Sequence, residues 1–439
     1  MRIVMIIPGS GGGFYCENCL RDTGVVKVLR RRGHDAVVVP LYLPMFTDDA
    51  EAAGNTPVFF GGVKLYLQQK VPLLRRMPPW LARVLDSPWL LGLAAKRAGS
   101  TRARGMGAMT LSMIRGEEGG QAGELERLAV WLQGERRPDV IHLGSSLLIG
   151  LAGRLRDRLD APVACVLQDE DTWIEALDAP YNRTCWDAIR ERCATVDGFL
   201  PVSRYYADRM RVKLGLPDGK LHVVPPGLAT GDYRAAPEPP DPPVIGYLSK
   251  MSRSLGLETL IEAFTELKKR RFPTLKLRAM GGQTGDDARF LGRLRRRLNG
   301  MGFANDVEFL PGLDRASRVD FLAGLSVLSV PMPDGEAFGL FIVEALAAGV
   351  PVVQPDRGGF GEVVRATGGG LLYDPARPGA LVEALDRLLA DPAAAAAMGR
   401  RGQAVVRERF TLERMADDLL GVYSGICRPE YNSRIRGGL

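Results

Sequence analysis

The chain has 439 residues, with 58 Lys and Arg against 51 Asp and Glu and a formal net charge of +7. Its length points to about two or three domains, and an apolar fraction of 46% with a charged fraction of 25% excludes a disordered or fibrous chain. The positive balance either favours anionic partners such as phosphates, nucleotides or an anionic membrane face, or reflects an Arg-rich coding bias.

The opening run Met1-Arg-Ile-Val-Met-Ile-Ile-Pro8 is too short for the apolar core of a signal peptide and reads as a first core strand over 2–7. A glycine loop, Gly9-Ser-Gly-Gly-Gly13, follows, then a helix through Leu29 and a strand at Ala36–Pro40. Cys16 and Cys19 form a C-x-x-C at the helix start, but no second pair with matching spacing accompanies it, so packing is the better reading than metal or redox chemistry. Six cysteines in a chain this long do not make a disulfide scaffold. Residues 50–115 break the strand–helix alternation and interleave arginines with Trp and Leu. They read as a helical excursion on the first domain beside an acceptor, with 59–91 a candidate peripheral membrane contact.

Strands are expected at Val140–Leu143, Val163–Leu167 and Gly198–Pro201, each followed by polar or helical sequence. A Pro-rich stretch from Pro225 to Pro243 cannot continue a helix or a central strand and reads as a linker. The alternation then restarts with Val244–Leu248, the helix Leu257–Leu267, and strands at Leu275–Met280, Val307–Phe309, Val327–Val330 and Val350–Gln354. A last helix opens at the capping-type Thr411. The expected division is 1–240, 241–410, and a 411–439 helix and tail that packs back toward the first domain. No uninterrupted apolar run reaches the roughly 20 residues of a spanning helix, and a cytoplasmic protein, membrane-associated at most, is the expectation.

The segment Asp334 to Gly349 carries the most chemistry. Glu336 and Glu344 are separated by seven intervening residues, the first in a strand-to-helix loop and the second roughly two turns into an apolar helix. In an open α/β sheet, ligands bind at the loops beyond the strands' carboxyl ends. The context Glu336-Ala-Phe-Gly, Glu344-Ala-Leu-Ala-Ala-Gly-Val-Pro-Val-Val, Asp356-Arg-Gly-Gly-Phe-Gly-Glu-Val-Val and Gly369-Gly-Leu-Leu-Tyr-Asp-Pro375 resembles the family 4 retaining glycosyltransferases (group 1) of GT-B architecture. Leu257–Leu267 is similar to that family's first helix of the C-terminal domain, and the glycine loop with Arg32-Gly-His-Asp-Ala-Val-Val-Val39 to its opening unit.

The resemblance implies two Rossmann-like domains facing a central cleft and transfer of a sugar from a nucleoside diphosphate donor, without a metal, to a glycan, lipid-linked or small-molecule acceptor. A cofactor and a nucleic-acid partner are not implied. Glu344 would bind the donor ribose and Glu336 the sugar or the region of its anomeric carbon, because carboxylates accept from paired hydroxyls. The N–H groups of Ala337, Phe338, Gly339 and Leu340 would face sugar hydroxyls or phosphates, with Gly12 and Gly13 letting backbone approach from the first domain. Family members place an Arg and a Lys after the first strand of the second domain; here Tyr247 and Leu255 take those places, and Lys250 and Arg253 are the nearby substitutes. Among three histidines, His34 and His222 read as structural, and His142 as a buried histidine or, in the family's sugar-site strand, a catalytic or acceptor contact. Gln168-Asp169-Glu170-Asp171 follows a strand, and Asp169 is the candidate for acceptor binding or proton transfer. A nucleotide-sugar epimerase or hydrolase, and a catalytically degenerate binding protein of the same fold, are the alternatives.

Overall fold

A computed structural model of the chain describes residues 1–8, 17–41, 103, 105–283, 285–311 and 314–427. The described residues fall into two compact units. The first holds the opening strand, Asn18–Pro225 and the chain from Met415; the second is Pro226–Arg414.

The first unit is built on a five-stranded sheet of β1 (Arg2–Ile7), β2 (Asp35–Pro40), β3 (Val140–Leu143), β4 (Val163–Leu167) and β5 (Gly198–Pro201) in the order β2-β1-β3-β4-β5. Every pairing is parallel, with Ile3 opposite Ala36 and Val140. Helices cover parallel sheets on both faces, so these strands are continuous apolar runs rather than alternating ones. All six residues of β1 are buried. The helix α1 (Glu17–Arg31) ends on Arg30 and Arg31, which suit the negative end of its dipole. Gly33, at φ +81°, then turns the chain into β2. A helix at Gly107–Arg115 falls within the stretch expected as an excursion, and its Thr110 hydroxyl accepts from the Trp173 indole at 3.1 Å.

The second unit holds a six-stranded parallel sheet of β6 (Val244–Leu248), β7 (Lys276–Met280), β8 (Val307–Leu310), β9 (Val327–Leu328), β10 (Val352–Pro355) and β11 (Gly370–Tyr373) in the order β11-β10-β9-β6-β7-β8. The edge strand β11 was not among the sequence expectations; three of its four residues are half-exposed, so its apolar run is short. β9 keeps two residues because the chain leaves the ladder toward Pro331, which has no N–H to donate. The Pro-rich stretch is counted with the second unit from Pro226 onward, ahead of the boundary expected at 240/241.

The last helix, Leu412–Ile426, is capped by Thr411, whose hydroxyl accepts the Arg414 amide at 3.1 Å. From Met415 it belongs to the first unit, where Tyr423 is fully buried. No helix of the described residues is long and apolar enough to cross a membrane.

Candidate functional site

Each sheet reverses its strand order once beside its first strand. In the second unit the chain moves from β6 outward to β7 and β8, then returns to place β9 on the other flank of β6. That reversal opens a crevice at the carboxyl edge between β6 and β9. The loops after β6 (249–256), β9 (329–339) and β10 (356–359) therefore leave one edge of three adjacent strands.

These loops are locked together through backbone. A side chain on Gly256 would collide with the Pro331 carbonyl, and one on Gly358, at φ +59°, would stand 2.8 Å from the Glu336 nitrogen. The Gly359 amide donates to the Glu336 carbonyl at 2.7 Å. Only glycine allows such close approach together with a left-handed backbone. The result fixes Glu336, half-buried, at the turn before the next helix. Ala337 and Phe338 are buried behind it, and Phe338 packs on Phe410 with centroids 6.0 Å apart. Gly339, at φ +90°, starts the helix Leu340–Ala347, whose eight residues are all buried.

Glu344 is the fifth residue of that helix, nearer its start than the expected two turns, and it is fully enclosed. Its Oε1 accepts from Tyr233 Oη at 2.6 Å and from Arg318 Nε at 3.2 Å. Arg318 is itself buried, so the two charges neutralise each other inside the unit. Burial, followed by the Glu344 charge, raises the Tyr233 phenol far above its ordinary range, so it remains a hydroxyl donor.

The loop after β6 is organised by Tyr247, in the place where an arginine was expected. It is fully buried, and its Oη lies 2.9 Å from the Lys250 carbonyl and 3.2 Å from the Leu255 carbonyl. Its single proton serves one or the other, holding the loop's two ends. Burial is the first cause that raises its pKa, and the Glu336 and Asp287 charges add to it. Lys250 is exposed and paired with Asp287 at 3.4 Å; Arg253 is three-quarters exposed and paired with Glu258 at 3.2 Å. Both cations thus stand on the loop that flanks the crevice.

In the first unit the corresponding reversal lies between β1 and β3. Gly12 and Gly13, expected to serve the donor, lie outside the described residues, as do Cys16 and the stretch 59–91. After β3 come Gly144, Ser145 and Ser146; after β4 come Gln168 to Asp171. Glu170, which the sequence did not single out, joins the two loops. Its Oε1 accepts from the Ser146 amide at 3.0 Å and the Ser145 hydroxyl at 3.2 Å. Its Oε2 accepts from the Gln168 amide at 2.6 Å and, in competition with Asp171 Oδ1 at the same distance, from Tyr206 Oη at 3.0 Å. Burial raises its pKa, and these hydrogen bonds act in the opposite direction.

Asp169, half-buried, sits between these anchored residues at φ +51°. Asp tolerates this left-handed conformation better than most side chains. Asp171 pairs with Arg209 at 2.6 Å. Beneath the loops, Arg21 bonds Asp22 at 2.7 Å and also reaches Gln168, whose amide donates to the Gly144 carbonyl at 2.7 Å. Desolvation raises the Asp22 carboxyl despite its arginine.

The expectation of a catalytic or acceptor contact at His142 meets a different environment. The ring is 1% exposed, and its Nδ1 lies 2.7 Å from Tyr423 Oη. Burial, with the Arg21 charge, lowers its pKa to about 3. A neutral, enclosed imidazole this weakly basic suits packing against Tyr423 better than proton transfer. His34 accepts from the chain's amino terminus at 3.2 Å, and the His222 amide donates to the Phe199 carbonyl at 2.9 Å.

Two parallel α/β units, each with loops gathered at a switch point, define a GT-B glycosyltransferase architecture. The model for group 1 glycosyl transferases matches residues 232–405, and the model for glycosyltransferase family 4 matches residues 113–231. The chain is 32% identical over 292 residues to a GDP-mannose-dependent alpha-(1-6)-phosphatidylinositol monomannoside mannosyltransferase of Mycolicibacterium smegmatis, spanning 62% of this chain and 72% of that protein. It is 30% identical over 221 residues to a D-inositol 3-phosphate glycosyltransferase of Jonesia denitrificans, where the match spans 46% of this chain and about half, 51%, of that protein.

Among solved structures, Anabaena HepE in complex with UDP covers 97% of this chain and 100% of its own at a TM-score of 0.64 and 18% identity. The sucrose-phosphate synthase of Thermosynechococcus elongatus covers 97% and 98% at 0.69 and 17% identity. At these identities the structural likeness speaks for the fold. The chain belongs to the group 1, family 4 glycosyltransferases, and its activity is that of a glycosyltransferase using a nucleotide-sugar donor.

Proposed function

We propose that the chain transfers a hexose, with retention of configuration, from a nucleoside diphosphate sugar to a hydroxyl of an inositol-bearing acceptor. The observation that carries the donor half is the placement of the Glu336 loop and the Lys250–Arg253 loop on the two sides of the β6/β9 switch point. A departing nucleoside diphosphate gains negative charge. Lys250, Arg253 and the helix amino end at Ala337–Leu340 would stabilise it, so the reading needs no divalent cation. The Glu336 carboxylate would hold the sugar beside its anomeric carbon, where positive charge develops, and Glu344 would take the ribose hydroxyls. On the acceptor side, Asp169 is placed on a loop anchored from both flanks and would orient or deprotonate the incoming hydroxyl. The acceptor class rests on the names of two relatives, both of which carry inositol.

A thermal-shift screen of GDP-, UDP- and ADP-sugars in EDTA is the direct test. A ligand at a hundred times its Kd adds about 2.7 kcal/mol of stability, so a donor should raise the Tm by several degrees. Absence of a shift with every donor would overturn the donor assignment. Incubating the stabilising donor with and without inositol acceptors, and reading the anomeric configuration of the product, separates transfer with retention from hydrolysis or epimerisation of the donor alone. The second reading, a degenerate binding protein, is favoured by Tyr247 and by the acid-paired state of Lys250 and Arg253; binding without turnover would establish it.

A further inference from the structure

The Tyr233 hydroxyl occupies one oxygen of Glu344, the carboxylate read above as the ribose ligand. Glu344 is enclosed, and Tyr233 Oη donates to its Oε1 at 2.6 Å, a short charge-assisted bond of the kind a sugar hydroxyl makes to a carboxylate. Glu344 and Arg318 are both carried on helices, Leu340–Ala347 and Arg315–Ala323. Tyr233 is not. It belongs to the stretch between Pro226 and β6, which has neither helix nor ladder strand. Side-chain straps hold that stretch down: Arg315 donates to the Ala229 carbonyl at 2.8 Å and pairs with Asp232 at 2.8 Å, and Arg407 donates to the Tyr233 carbonyl at 3.0 Å. Between Tyr233 and Arg318, the phenol is therefore the one able to leave without unwinding an element.

We propose that Tyr233 is a built-in competitor for the donor: its hydroxyl occupies on Glu344 the position of a ribose hydroxyl, and donor binding displaces it together with the 229–235 stretch. This inference rests on the reading of Glu344 as the ribose-binding carboxylate. The exchange is balanced, because one hydroxyl donor replaces another on the same oxygen. Arg318 stays in place throughout, so no buried charge is left without its partner. What the donor must offset is the withdrawal of a phenol ring that is 1% exposed and the loosening of the Arg407 strap. Tyr233 would thereby set donor affinity although it touches no part of the donor.

The test measures GDP and UDP binding by calorimetry on the full chain. Tyr233→Phe keeps the ring and removes the competing hydroxyl, leaving a buried carboxylate short of one donor until nucleotide supplies it. The expected result is a Kd about tenfold lower than wild type, with a lower Tm in the absence of nucleotide and a larger nucleotide-induced rise. Arg407→Ala, which loosens the strap without touching Glu344, should lower the Kd in the same direction by a smaller factor. A purely structural Tyr233 would give unchanged or weaker binding in both variants, and that result overturns the inference while leaving the donor site standing. If neither wild type nor either variant binds a nucleoside diphosphate, the donor-site reading falls and the inference with it.

Discussion

The two switch points are built by opposite means. In the first unit the loops beyond β3 and β4 are tied by side chains turned inward: Glu170 with its four donors, and Arg21 with Asp22 and Gln168. In the second unit the loops beyond β6, β9 and β10 interlock through glycine backbone, with Glu336 half-buried and Lys250 and Arg253 exposed. Backbone interlocking suits a diphosphate, which is recognised by N–H groups and charge and differs little between donors. A side-chain network suits an acceptor, whose hydroxyl pattern has to be distinguished, and it can be altered residue by residue. Glu344 is the exception in the second unit, since it is held in the manner of the first.

That contrast separates the effects of losing each carboxylate. Glu336→Ala should give the largest change in turnover, at least about a hundredfold, with little change in Tm because the side chain is half-buried and its loop is fixed by backbone. Steady-state rates of nucleoside diphosphate release, beside a melting curve, check both halves. Unchanged turnover would remove Glu336 from the site. Glu344→Ala should act first on the fold. It leaves Arg318 buried without its carboxylate, a situation that costs about 3–5 kcal/mol, and denaturant unfolding reads this directly. Replacing Arg318 and Glu344 together by leucines should recover most of that loss while donor binding stays impaired. A mild Glu344→Ala destabilisation would mean that the enclosure is easily opened.

Much of this was legible in the sequence, for a physical reason. Parallel strands covered on both faces read as unbroken apolar runs, so Val140–Leu143, Val163–Leu167, Gly198–Pro201 and Val244–Leu248 were expected with the bounds the structure gives them. The Glu336–Glu344 spacing marked the loop and helix because both lie within one short segment. The partners of the buried carboxylates were not legible. Tyr233 is 111 residues from Glu344, Tyr423 is 281 residues from His142, and no local pattern announces a hydrogen bond across such spans. Glu170 was passed over for the same reason: beside two aspartates it reads as part of a solvated acidic run, whereas Ser145, Ser146 and Tyr206 enclose it. The replacement of the expected arginine by Tyr247 read as a loss; in the fold the phenol takes over the task of closing the loop.

The smallest expected effect tests whether the first unit's network is as strongly committed as its burial implies. Burial raises the Glu170 pKa above its ordinary value, so the folded state binds this proton more tightly than the unfolded chain does. Stability is then greater below the ordinary carboxylate range and declines as pH rises through the raised pKa, because the unfolded chain ionises first. Glu170→Gln keeps the shape and removes the titration. Either way the amide is turned, its NH2 meets a backbone N–H, of Ser146 or of Gln168, in place of an oxygen, so a loss of about 1–2 kcal/mol is expected near pH 4. The difference between wild type and variant should then narrow as pH rises through the raised pKa, because the wild type loses this contribution there and the variant does not. Urea midpoints measured across that range decide it. A gap that widens with pH would show that the four donors stabilise the ionised carboxylate by more than burial penalises it, and the first unit's loops would then be held as an anion site of their own.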